Sequence, residues 1–428
     1  MALSWMFALF LCLVLFNIPI AFSMGICSLI YLLSAGLNPV VISLRIFTTL
    51  DSFTLLALPF FLLAGNLMNT AGITDRILMF ARSLVGHITG GLGQVSVVAE
   101  MIVSGISGSG VADAAGLGVI SMEMMTKAGY DEDFSAGLVL AGSTLGPIIP
   151  PSIIMVIYAL STGVSMGRLL IAGFIPGGIM GVCLMVLVYF IARKKNYPRD
   201  QWLGFKQVIY KFSRTIIALL TAVILFGGIV TGIFTVTEAS AVACLYALII
   251  GIFVYKELRW RNLIEVFLET AYTTGLIGMV IGICGLFSWI LAKEGVPQAL
   301  ADFILSLTTN KYLILLMVNV GLLIAGCFVD AGPLIIISAP ALIPLLERLN
   351  IDLVYFGVVM SVNVSIGMIT PPVGTCLYAV MGITGIPMER LAKAVYPFLI
   401  ALIVSLLIIT YIPQISLFLP NLLFGEGQ

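Results

Sequence analysis

Apolar segments long enough to cross a membrane recur along nearly the whole chain, and they limit the possible folds more than any other feature. A helix that spans the hydrocarbon core needs about 20 predominantly apolar residues. We predict ten crossings, at residues 2–16, 19–35, 53–70, 134–160, 168–192, 214–233, 237–255, 264–291, 353–380 and 394–418. Of the 428 residues, 61% are hydrophobic and 9% are charged, whereas soluble proteins carry about 25% charged residues. The sequence therefore predicts an all-α, polytopic membrane protein without a large soluble domain.

The charged and metal-binding residues argue against several classes of function. Basic and acidic residues are equal in number, 20 of each, so there is no basic excess for a nucleic acid. The seven cysteines form no CxxC pair and the one histidine is His87. We therefore interpret the cysteines as small apolar residues rather than metal ligands. The N-terminal segment lacks a positive start and a small-residue cleavage site, and we expect it to be a retained helix.

Two further apolar stretches, 92–127 and 312–347, are interrupted near their middles. The interruptions are the glycine-rich residues 104–110 and residues 326–333. Each flanking arm is too short for a comfortable crossing. We therefore predict two re-entrant helical hairpins, each of which enters and leaves the membrane on one side.

The central segment 193–214 orients the chain. It carries seven basic residues and one acid, Asp200, and positively charged loops stay on the cytoplasmic side. Counting crossings from this loop places 15 of the 20 Lys and Arg residues inside. The five that face outward are Arg45, Arg168, Lys293, Lys311 and Arg348. The first hairpin then lies on the cytoplasmic side and the second on the outer side.

An internal repeat predicts the architecture. A shift of 221 residues, without a gap, superposes Gly105 on Gly326, Asp131 on Asp352, Gly146 on Gly367, and Pro150-Pro151 on Pro371-Pro372. Each half has five crossings, an odd number, so the halves have inverted topology, as in many secondary transporters. The first predicted repeat, 1–192, contains scaffold helices at 1–70 and a hairpin and broken helix at 92–160. A basic cytoplasmic linker follows at 193–213. The second predicted repeat, 214–428, contains scaffold helices at 214–291 and a hairpin and broken helix at 312–380.

Irregular backbone is the feature that predicts chemistry. Within hydrocarbon it survives only where it is buried in protein or faces a polar cavity, because open peptide groups are costly there. Besides the hairpin tips, residues 142–152 and 363–372 interrupt long helices. Carbonyl oxygens freed at such breaks suit hard cations such as sodium, and the N-terminal ends of the following half-helices suit anions. We expect those half-helices to begin at Pro150-Pro151, Pro371-Pro372 and Pro333.

The breaks predict two sodium sites related by the repeat. The first combines Ser104, Gly105, Gly142, Ser143 and Gly146. The second combines Gly326, Asp330, Gly332, Asn363, Ser365, Gly367 and Thr370. Several of these residues would bind the ion through a backbone carbonyl. For any single glycine, the alternative is that it permits close helix packing.

A few polar side chains are candidates for substrate contact. Asp330 lies inside an apolar hairpin, where ionisable residues are usually functional, and a role as N-cap of the following helix is compatible with this. Ser107, Ser109 and Ser152 could offer hydroxyls to a substrate or bond to their own helices. Arg45 could attract an anion or anchor its segment at the interface.

Three other acids lie at membrane depth. Asp113 follows the first tip, and we expect it to cap or brace that tip. Glu238 is expected to form a capping box with Thr235. Glu100 receives no assigned role.

At these residues the chain resembles the large membrane subunit, the DctM-like family, of tripartite ATP-independent periplasmic (TRAP) transporters. The similar motifs are LDSFTLLALPFF at 50–61, SGSGVADAA at 107–115 and GPIIPPS at 146–152. The stretch GIFTVTEA at 232–239 is similar as well, although the family usually has proline where Val236 stands. The resemblance covers essentially the whole chain.

The resemblance implies an importer of the bacterial inner membrane in which a transport domain carrying both hairpins slides against a fixed scaffold, an elevator mechanism. It implies sodium as the coupling ion, bound near the hairpin tips, and an organic acid carrying a carboxylate as the substrate. It also implies two protein partners, a soluble periplasmic binding protein and a separate small four-helix membrane subunit of the Q type. By position, the family's substrate serines and hairpin aspartate fall on Ser107 or Ser109, Ser152 and Asp330.

Two other classes of function are alternatives. An autonomous ion or organic-anion exchanger of similar hairpin architecture would transport without a binding protein. An intramembrane enzyme would need a catalytic acid–base or nucleophile–base set, but the sequence contains no HExxH, GxxxxGKS or GxxxxGKT motif. The leading prediction is a secondary transporter that is not an enzyme and needs no organic cofactor.

Overall fold

Helices form all the regular structure in the residues that the computed structural model describes, which are 2–16, 18–202 and 204–425. The first half contains α1 (Ala2–Leu15), α2 (Ile20–Ser34), α3 (Val40–Leu50), α4 (Ala57–Thr70), α5 (Ile73–Val85), α6 (Gly91–Ser107), α7 (Gly110–Asp113), α8 (Val119–Lys127), α9 (Glu132–Ser143), α10 (Ile153–Thr162), α11 (Met166–Ala172) and α12 (Phe174–Lys195). The second half contains α13 (Phe205–Val230), α14 (Val236–Ile249), α15 (Trp260–Lys293), α16 (Val296–Leu307), α17 (Lys311–Gly326), α18 (Ala331–Arg348), α19 (Leu353–Gly367), α20 (Thr375–Thr384), α21 (Met388–Tyr411) and α22 (Gln414–Phe424). The predicted all-α fold class is confirmed.

The length and composition of the helices confirm a multi-span membrane protein. Six of the described segments can cross a membrane: Phe53–Thr70, Met166–Lys195, Val236–Val254, Trp260–Lys293, Ala331–Arg348 and Met388–Tyr411. The number rises to seven if Phe205–Ser213 and Thr215–Val230, which are bent by 62°, form one span. Five of the six coincide with predicted crossings. The sixth, Ala331–Arg348, is an arm of the second predicted hairpin, so the prediction that each arm is too short was wrong for this one. The predicted crossings 134–160 and 353–380 are each divided by a break, and α1 and α2 are shorter apolar helices.

Three helices, α3, α5 and α16, were not predicted from the sequence. In α5, Asp75, Arg76 and Arg82 lower the average apolar character, while one face is buried through Ile73, Ile77, Leu78, Ala81 and Val85. That spacing is the helical period, which a search for long apolar runs does not detect. The predicted last crossing, 394–418, is also two helices, α21 and α22, since the helix stops at Tyr411 before Pro413.

The hairpins and broken helices occupy equivalent positions in the two halves. The 221-residue shift carries α9 to residues 353–364, within α19, and α10 to residues 374–383, beside α20. It also carries the cis peptide bond Pro150-Pro151 onto the cis peptide bond Pro371-Pro372. The repeat register seen in the sequence is therefore also the register of these elements, whereas the proposed domain bounds stay a prediction.

The first parts of the two broken helices lie at the centre of the molecule. All residues of 134–143 in α9 and of 354–367 in α19 are buried. A helix that is apolar and buried all round belongs to the core of a large or membrane-spanning protein. The two halves of the chain share this core, because the Tyr158 hydroxyl of α10 donates to the Leu353 carbonyl (2.9 Å) and α9 packs against α21.

Glu238 forms the capping box predicted from the sequence. Its carboxylate accepts from the Thr235 backbone N–H (2.8 Å), and the Thr235 hydroxyl accepts from the Glu238 N–H (3.3 Å). The acid therefore has a structural role at the start of α14.

Candidate functional site

Each hairpin turns through a short non-helical segment. In the first, α6 ends at Ser107 and α7 begins at Gly110; in the second, α17 ends at Gly326 and α18 begins at Ala331. The predicted breaks 104–110 and 326–333 were too wide, because their flanking residues continue the helices. Among the last four residues of a helix are the predicted ligands Ser104, Gly105, Gly142, Ser143, Gly326, Ser365 and Gly367. The last four carbonyls of a helix lack a partner within the helix, although those of Ser104, Gly142, Ser143 and Gly367 accept from N–H groups just beyond it. Each carbonyl oxygen has a second lone pair that can bind a cation.

The paired prolines do not begin half-helices, contrary to the prediction. After Pro150-Pro151 the helix α10 begins only at Ile153, and after Pro371-Pro372 the helix α20 begins at Thr375. The prolines instead lie within the breaks. Pro333, by contrast, lies in the first turn of α18 as predicted.

The first hairpin tip contacts the first broken helix through backbone atoms. The Ile153 N–H donates to the Gly108 carbonyl (3.3 Å). A Cβ on Gly110 would lie 2.7 Å from the Ser143 carbonyl oxygen, and a Cβ on Gly146 would lie 3.0 Å from the Gly110 nitrogen. The structure therefore brings the two elements of the first predicted sodium site together.

The second hairpin repeats this contact. The Val373 N–H donates to the Cys327 carbonyl (3.1 Å), and a Cβ on Gly367 would lie 3.0 Å from the Gly326 Cα. Two predicted ligands, Gly326 and Gly367, thus meet directly.

Three of the predicted ligands of the second site, Asn363, Ser365 and Thr370, donate side-chain hydrogen bonds within the protein, while Asn363 Oδ1 has no partner among the described residues. The Asn363 amide donates to the Asn319 carbonyl (2.9 Å) and side-chain oxygen (3.0 Å). The Ser365 hydroxyl donates to the Ser361 carbonyl (2.6 Å), and that of Thr370 to the Ile366 carbonyl (2.7 Å). Any contribution of Ser365 and Thr370 to a cation would use a backbone oxygen or a remaining hydroxyl lone pair.

Both hairpin tips line one cavity of about 320 Å³, which we name the tip cavity. It is bounded by 108–111 of the first tip, 330–333 of the second tip, α10, α15 and Leu62 of α4. The tips are therefore neighbours around a shared space rather than sealed separately in dry helix contacts. Substrate and ion sites of inverted-repeat transporters lie where the repeats meet, and this cavity has that position.

The lining of the tip cavity is mostly apolar. Its polar side chains are Ser109, Thr273 and Asp330, and among the described residues no Lys, Arg or His lines it. Asp330 is exposed to this space. It occupies the N-cap position of α18, but its side chain makes no capping hydrogen bond. The Ala331 N–H and the Thr375 hydroxyl lie beside its carboxylate, which also lines the tip cavity.

Of the three serines predicted to contact substrate, Ser109 lines the tip cavity. It also caps α7 by accepting from the Ala112 N–H (3.4 Å), while the Ser107 hydroxyl accepts from the Ser109 N–H (3.4 Å). Ser152 is fully buried. Its hydroxyl caps α10 by accepting from the Met155 N–H (3.1 Å) and donates to the Pro147 carbonyl, so it positions the start of α10.

Arg45 lies on α3, away from the residues that line the tip cavity. Its guanidinium carbon is 4.6 Å from the centre of the Trp289 ring. Among the described residues, its Nε has no hydrogen-bond partner. The cation is thus held by an aromatic ring on α15, and its Nε is buried.

Two acids, Glu100 and Asp113, lie behind the first tip. Their association was not predicted from the sequence. The Ser104 hydroxyl donates to the Asp113 carboxylate (3.4 Å), which supports the predicted bracing of the tip by Asp113. Glu100 is 0% exposed, and within the described part of the chain neither of its carboxylate oxygens has a partner. Its Cγ lies 3.0 Å from the position of a Cβ on Gly142. The first predicted sodium site therefore has two buried carboxyl groups beside it.

With the site in view, the chain can be compared with known proteins. Residues 7–415 match the sequence profile of the family described as tripartite ATP-independent periplasmic transporter, DctM component. The chain belongs to the DctM family of TRAP transporters. In this family the large permease works with a small membrane component and a periplasmic binding protein. The predicted family resemblance is confirmed.

Relatives within the DctM family have names that refer to different substrates. The chain is 41% identical over 415 residues to the sialic acid TRAP transporter large permease of Vibrio cholerae serotype O1, covering 96% of this chain and 97% of that protein. It is 41% identical over 380 residues to the C4-dicarboxylate large permease of Pseudomonas aeruginosa, covering 89% of each. It is 38% identical over 416 residues to the isethionate permease of Oleidesulfovibrio alaskensis, covering 96% of this chain and 65% of that protein. All three are named transporter permeases, not enzymes.

A solved structure shares the fold of this DctM-family chain. The Alcanivorax borkumensis YdaH transporter superposes with a TM-score of 0.60, covering 86% of this chain and 87% of that one. The sequence identity is 16%, so this likeness supports the fold alone.

Proposed function

We propose that this chain is the translocating subunit of a sodium-driven importer for an organic acid that carries a carboxylate. It would act in the bacterial inner membrane, with a periplasmic binding protein and a small four-helix Q-type subunit as partners. The two relatives at 41% identity, named for sialic acid and for C4-dicarboxylates, support a carboxylate substrate.

One observation carries the sodium proposal: Asp330 is the only charged side chain among the described residues that line the tip cavity. An anionic substrate that enters would meet a carboxylate. Two like unit charges 4 Å apart repel by about 4 kcal/mol at an effective dielectric constant of about 20. A cation bound between them reverses that interaction. Binding of the acid would therefore require sodium, and this requirement is the basis of coupled transport.

The sodium ions would bind where backbone oxygens meet at the two tips. The proposed first site comprises Ser104, Gly105, Gly142, Ser143 and Gly146, and the second Gly326, Asp330, Gly332, Asn363, Ser365, Gly367 and Thr370. Direct contact between Gly326 and Gly367 and between Gly110 and Ser143 supports both. Carbonyl oxygens of discontinuous helices coordinate sodium in transporters with inverted repeats.

The substrate would contact Ser109 and Asp330 in the tip cavity, with Ser107 and Ser152 fixing the local backbone and Arg45 attracting the anion from outside. The tip cavity lies between the hairpins and α15. In an elevator mechanism the hairpins and broken helices would slide as a transport domain along the scaffold helices. A cavity at that boundary supports this proposal.

The proposal is tested by reconstitution with the small membrane subunit and the binding protein in liposomes. Uptake of sialic acid, succinate and isethionate would be measured with an inward sodium gradient and with potassium as the control. We expect uptake of at least one carboxylate with sodium only. Equal uptake with potassium contradicts the sodium proposal.

Omission of the binding protein separates the proposal from the alternative of an autonomous exchanger. We expect uptake to stop without it. Full uptake by the membrane chains alone would favour the exchanger.

A further inference from the structure

A second cavity, of about 310 Å³, adjoins the tip cavity, and we name it the outer cavity. It is lined by Thr48, Thr49, Ser52, Ile157, Leu160, Ser161, Ile281, Gly285, Ser288, Ile336 and Pro340. The two cavities share Ile157, Ile281 and Ile336. They are therefore successive spaces along one path rather than separate pockets.

Three helices give this path a common direction. On α10 the lining passes from Ile153 in the tip cavity to Ser161 in the outer cavity. On α15 it passes from Thr273 to Ser288, and on α18 from residue 331 to residue 340. The last residues of α15 and α18 are Lys293 and Arg348, which the charge distribution of the sequence places on the outer side. The path thus runs from the hairpin tips toward the outside.

The three shared isoleucines line both cavities, and we name this boundary between them the constriction. Ile157 is 4% exposed, and Ile281 and Ile336 are each 5% exposed. They come from three different helices, α10, α15 and α18. Apolar side chains closing a path from opposite sides exclude water and ions, and a side-chain rotation can open it without breaking a polar contact.

The outer cavity is much richer in hydroxyl groups than the tip cavity. Thr48 and Thr49 donate to the Arg45 carbonyl (3.1 and 2.7 Å), and Ser161 donates to the Ile157 carbonyl (2.8 Å). Ser52 and Ser288 also line the cavity, and neither hydroxyl is hydrogen-bonded to another described residue. Two hydroxyl groups of the lining therefore remain available for a ligand.

The charge near the outer cavity is opposite to that of the tip cavity. Arg45 lies one helical turn before Thr49, and its guanidinium stacks on Trp289, the residue after Ser288. Arg45 does not itself line the outer cavity, and its Nε is buried without a partner among the described residues, so the guanidinium acts on the hydroxyl-lined space through its charge. An organic anion approaching from outside meets a cation and hydroxyl donors before it meets the Asp330 carboxylate.

We propose that the outer cavity is a second substrate subsite, which binds the carboxylate of the organic acid before it passes Ile157, Ile281 and Ile336 to the tip cavity. This inference rests on the proposed function, because the ligand is the transported acid. Ser52 and Ser288 donate to the carboxylate, and Arg45 supplies the positive field. Thr48, Thr49 and Ser161 fix the shape of the subsite.

The first test removes the two free hydroxyls. Ser52→Ala, Ser288→Ala and the double variant are assayed for sodium-driven uptake against substrate concentration, using sialic acid and succinate. Loss of one hydrogen bond to a carboxylate should raise the half-saturating concentration about five-fold for each serine and about 25-fold for the double variant. The sodium concentration for half-maximal activation should not change, since neither serine lies near the proposed sodium ligands.

Ser306→Ala is the matched control, because Ser306 is an exposed serine on α16 that lines neither cavity. It should transport like the unmodified protein. Unchanged half-saturation in the double variant would overturn the proposal.

A second test does not depend on transport. Ser288→Cys and Ser306→Cys are treated in spheroplasts with a membrane-impermeant thiol reagent, with the unmodified chain as background. Both should react from outside, but sialic acid or succinate should slow only the reaction at residue 288. If residue 288 reacts equally fast with and without both acids, the subsite is contradicted, even if uptake is sodium-dependent. If the acids protect residue 288 but no sodium-driven uptake is found, only the proposed function is contradicted.

The constriction is tested by Ile336→Phe, which adds bulk to it. Maximal uptake should fall by about ten-fold or more from overpacking of the path, while substrate protection of residue 288 in the combined variant persists. Loss of both uptake and protection would show that the two cavities are one site.

Discussion

The two hairpins have similar tips but different supports. At both tips, glycine backbone meets the broken helix of the same repeat. Behind the first tip lie Glu100, Asp113 and Gly142; the 221-residue shift carries these positions to Gly321, Leu334 and Asn363. An acid pair in the first repeat is thus replaced by an amide in the second.

The hydrogen bonding of these supports differs as much as their charge. Asn363 donates to Asn319, and the Asn319 amide in turn donates to the Thr410 hydroxyl (2.9 Å). Glu100, in contrast, has no partner among the described residues. Buried polar groups are normally hydrogen-bonded. The second support combines a hydrogen-bonded amide network with one unpartnered oxygen, Asn363 Oδ1, whereas both carboxyl oxygens of Glu100 in the first support are unpartnered among the described residues. The repeat preserves the backbone geometry while the side chains behind it have diverged.

The largest predicted effect tests the feature that the two tips share. In Gly367→Ala, the new Cβ would lie 3.0 Å from the Cα, carbonyl carbon and carbonyl oxygen of Gly326. Overpacking of this kind costs about 1–3 kcal/mol, and backbone atoms can yield only if the hairpin moves. We expect uptake to fall ten-fold or more, by about the same factor as in Gly146→Ala. In Gly382→Ala the Cβ meets nothing within 4 Å, so that variant should transport normally; normal uptake in Gly367→Ala would show that the tip contact is dispensable.

A somewhat smaller effect should come from the charge that faces the tip cavity. Asp330→Asn keeps the size of the side chain but removes the only charged group in the described lining. We expect uptake to fall about ten-fold, equivalent to about 1.4 kcal/mol, and to require more sodium for half-maximal activation. Asp302→Asn on α16, which breaks an exposed pair with Arg348, is the control. A normal rate with normal sodium dependence in Asp330→Asn means that the second-hairpin assignment is wrong.

The difference between the supports is sharpened by Glu100→Gln and Asn363→Ala. Asn363→Ala leaves buried acceptors on Asn319 without a donor, so the free energy of unfolding should fall by about 1–3 kcal/mol. Glu100→Gln removes the unpartnered carboxyl group beside the first proposed sodium site. It should raise the half-activating sodium concentration about five-fold, from the loss of about 1 kcal/mol of attraction, with little change in thermal unfolding. Sodium-dependence curves and unfolding temperatures in detergent measure the two effects. If Glu100→Gln lowered the unfolding temperature and Asn363→Ala changed only the sodium dependence, the contrast between the two supports would be refuted.

The sequence predicted the repeat and the position of the tips because these depend on local signals. Glycine and proline interrupt apolar runs at Gly108, Gly146 and Pro371, and each interruption marks a real break. It did not predict how far the helices continue. Ser104 and Gly105 stay helical, because the ends of α6 and α9 are buried against each other and that packing outweighs weak helix propensity.

Other features could not be predicted because they depend on distant parts of the chain. The partner of Asn363 lies 44 residues earlier, and the Tyr158 hydroxyl donates to a carbonyl 195 residues later. A shared cavity between tips more than 200 residues apart in sequence is likewise a tertiary result. Only the apolar surroundings of Asp330 marked it in the sequence as a cavity residue.

The smallest effect compares the equivalent aspartates that precede α9 and α19. Asp352 accepts from the N–H groups of Val354 (2.7 Å) and Tyr355 (2.9 Å), so Asp352→Ala should lower the free energy of unfolding by about 1 kcal/mol. Asp131 makes no such cap and instead pairs with Lys195. Both of its groups are about half exposed, so Asp131→Ala should cost less than about 1 kcal/mol.

The Asp131 effect should also depend on pH. The hydrogen bond from Lys195 lowers the pKa of the Asp131 carboxyl, so the pair stabilises the fold above the unfolded pKa of about 3.9. That stabilisation is lost as the pH falls through the lower, folded pKa. Unfolding temperatures of the unmodified chain and Asp131→Ala should therefore differ at pH 7 and converge in acid. A difference that stays constant down to pH values well below about 3.9 would mean that Asp131 acts through packing, and the two aspartates would then differ in geometry alone rather than in the kind of interaction each makes.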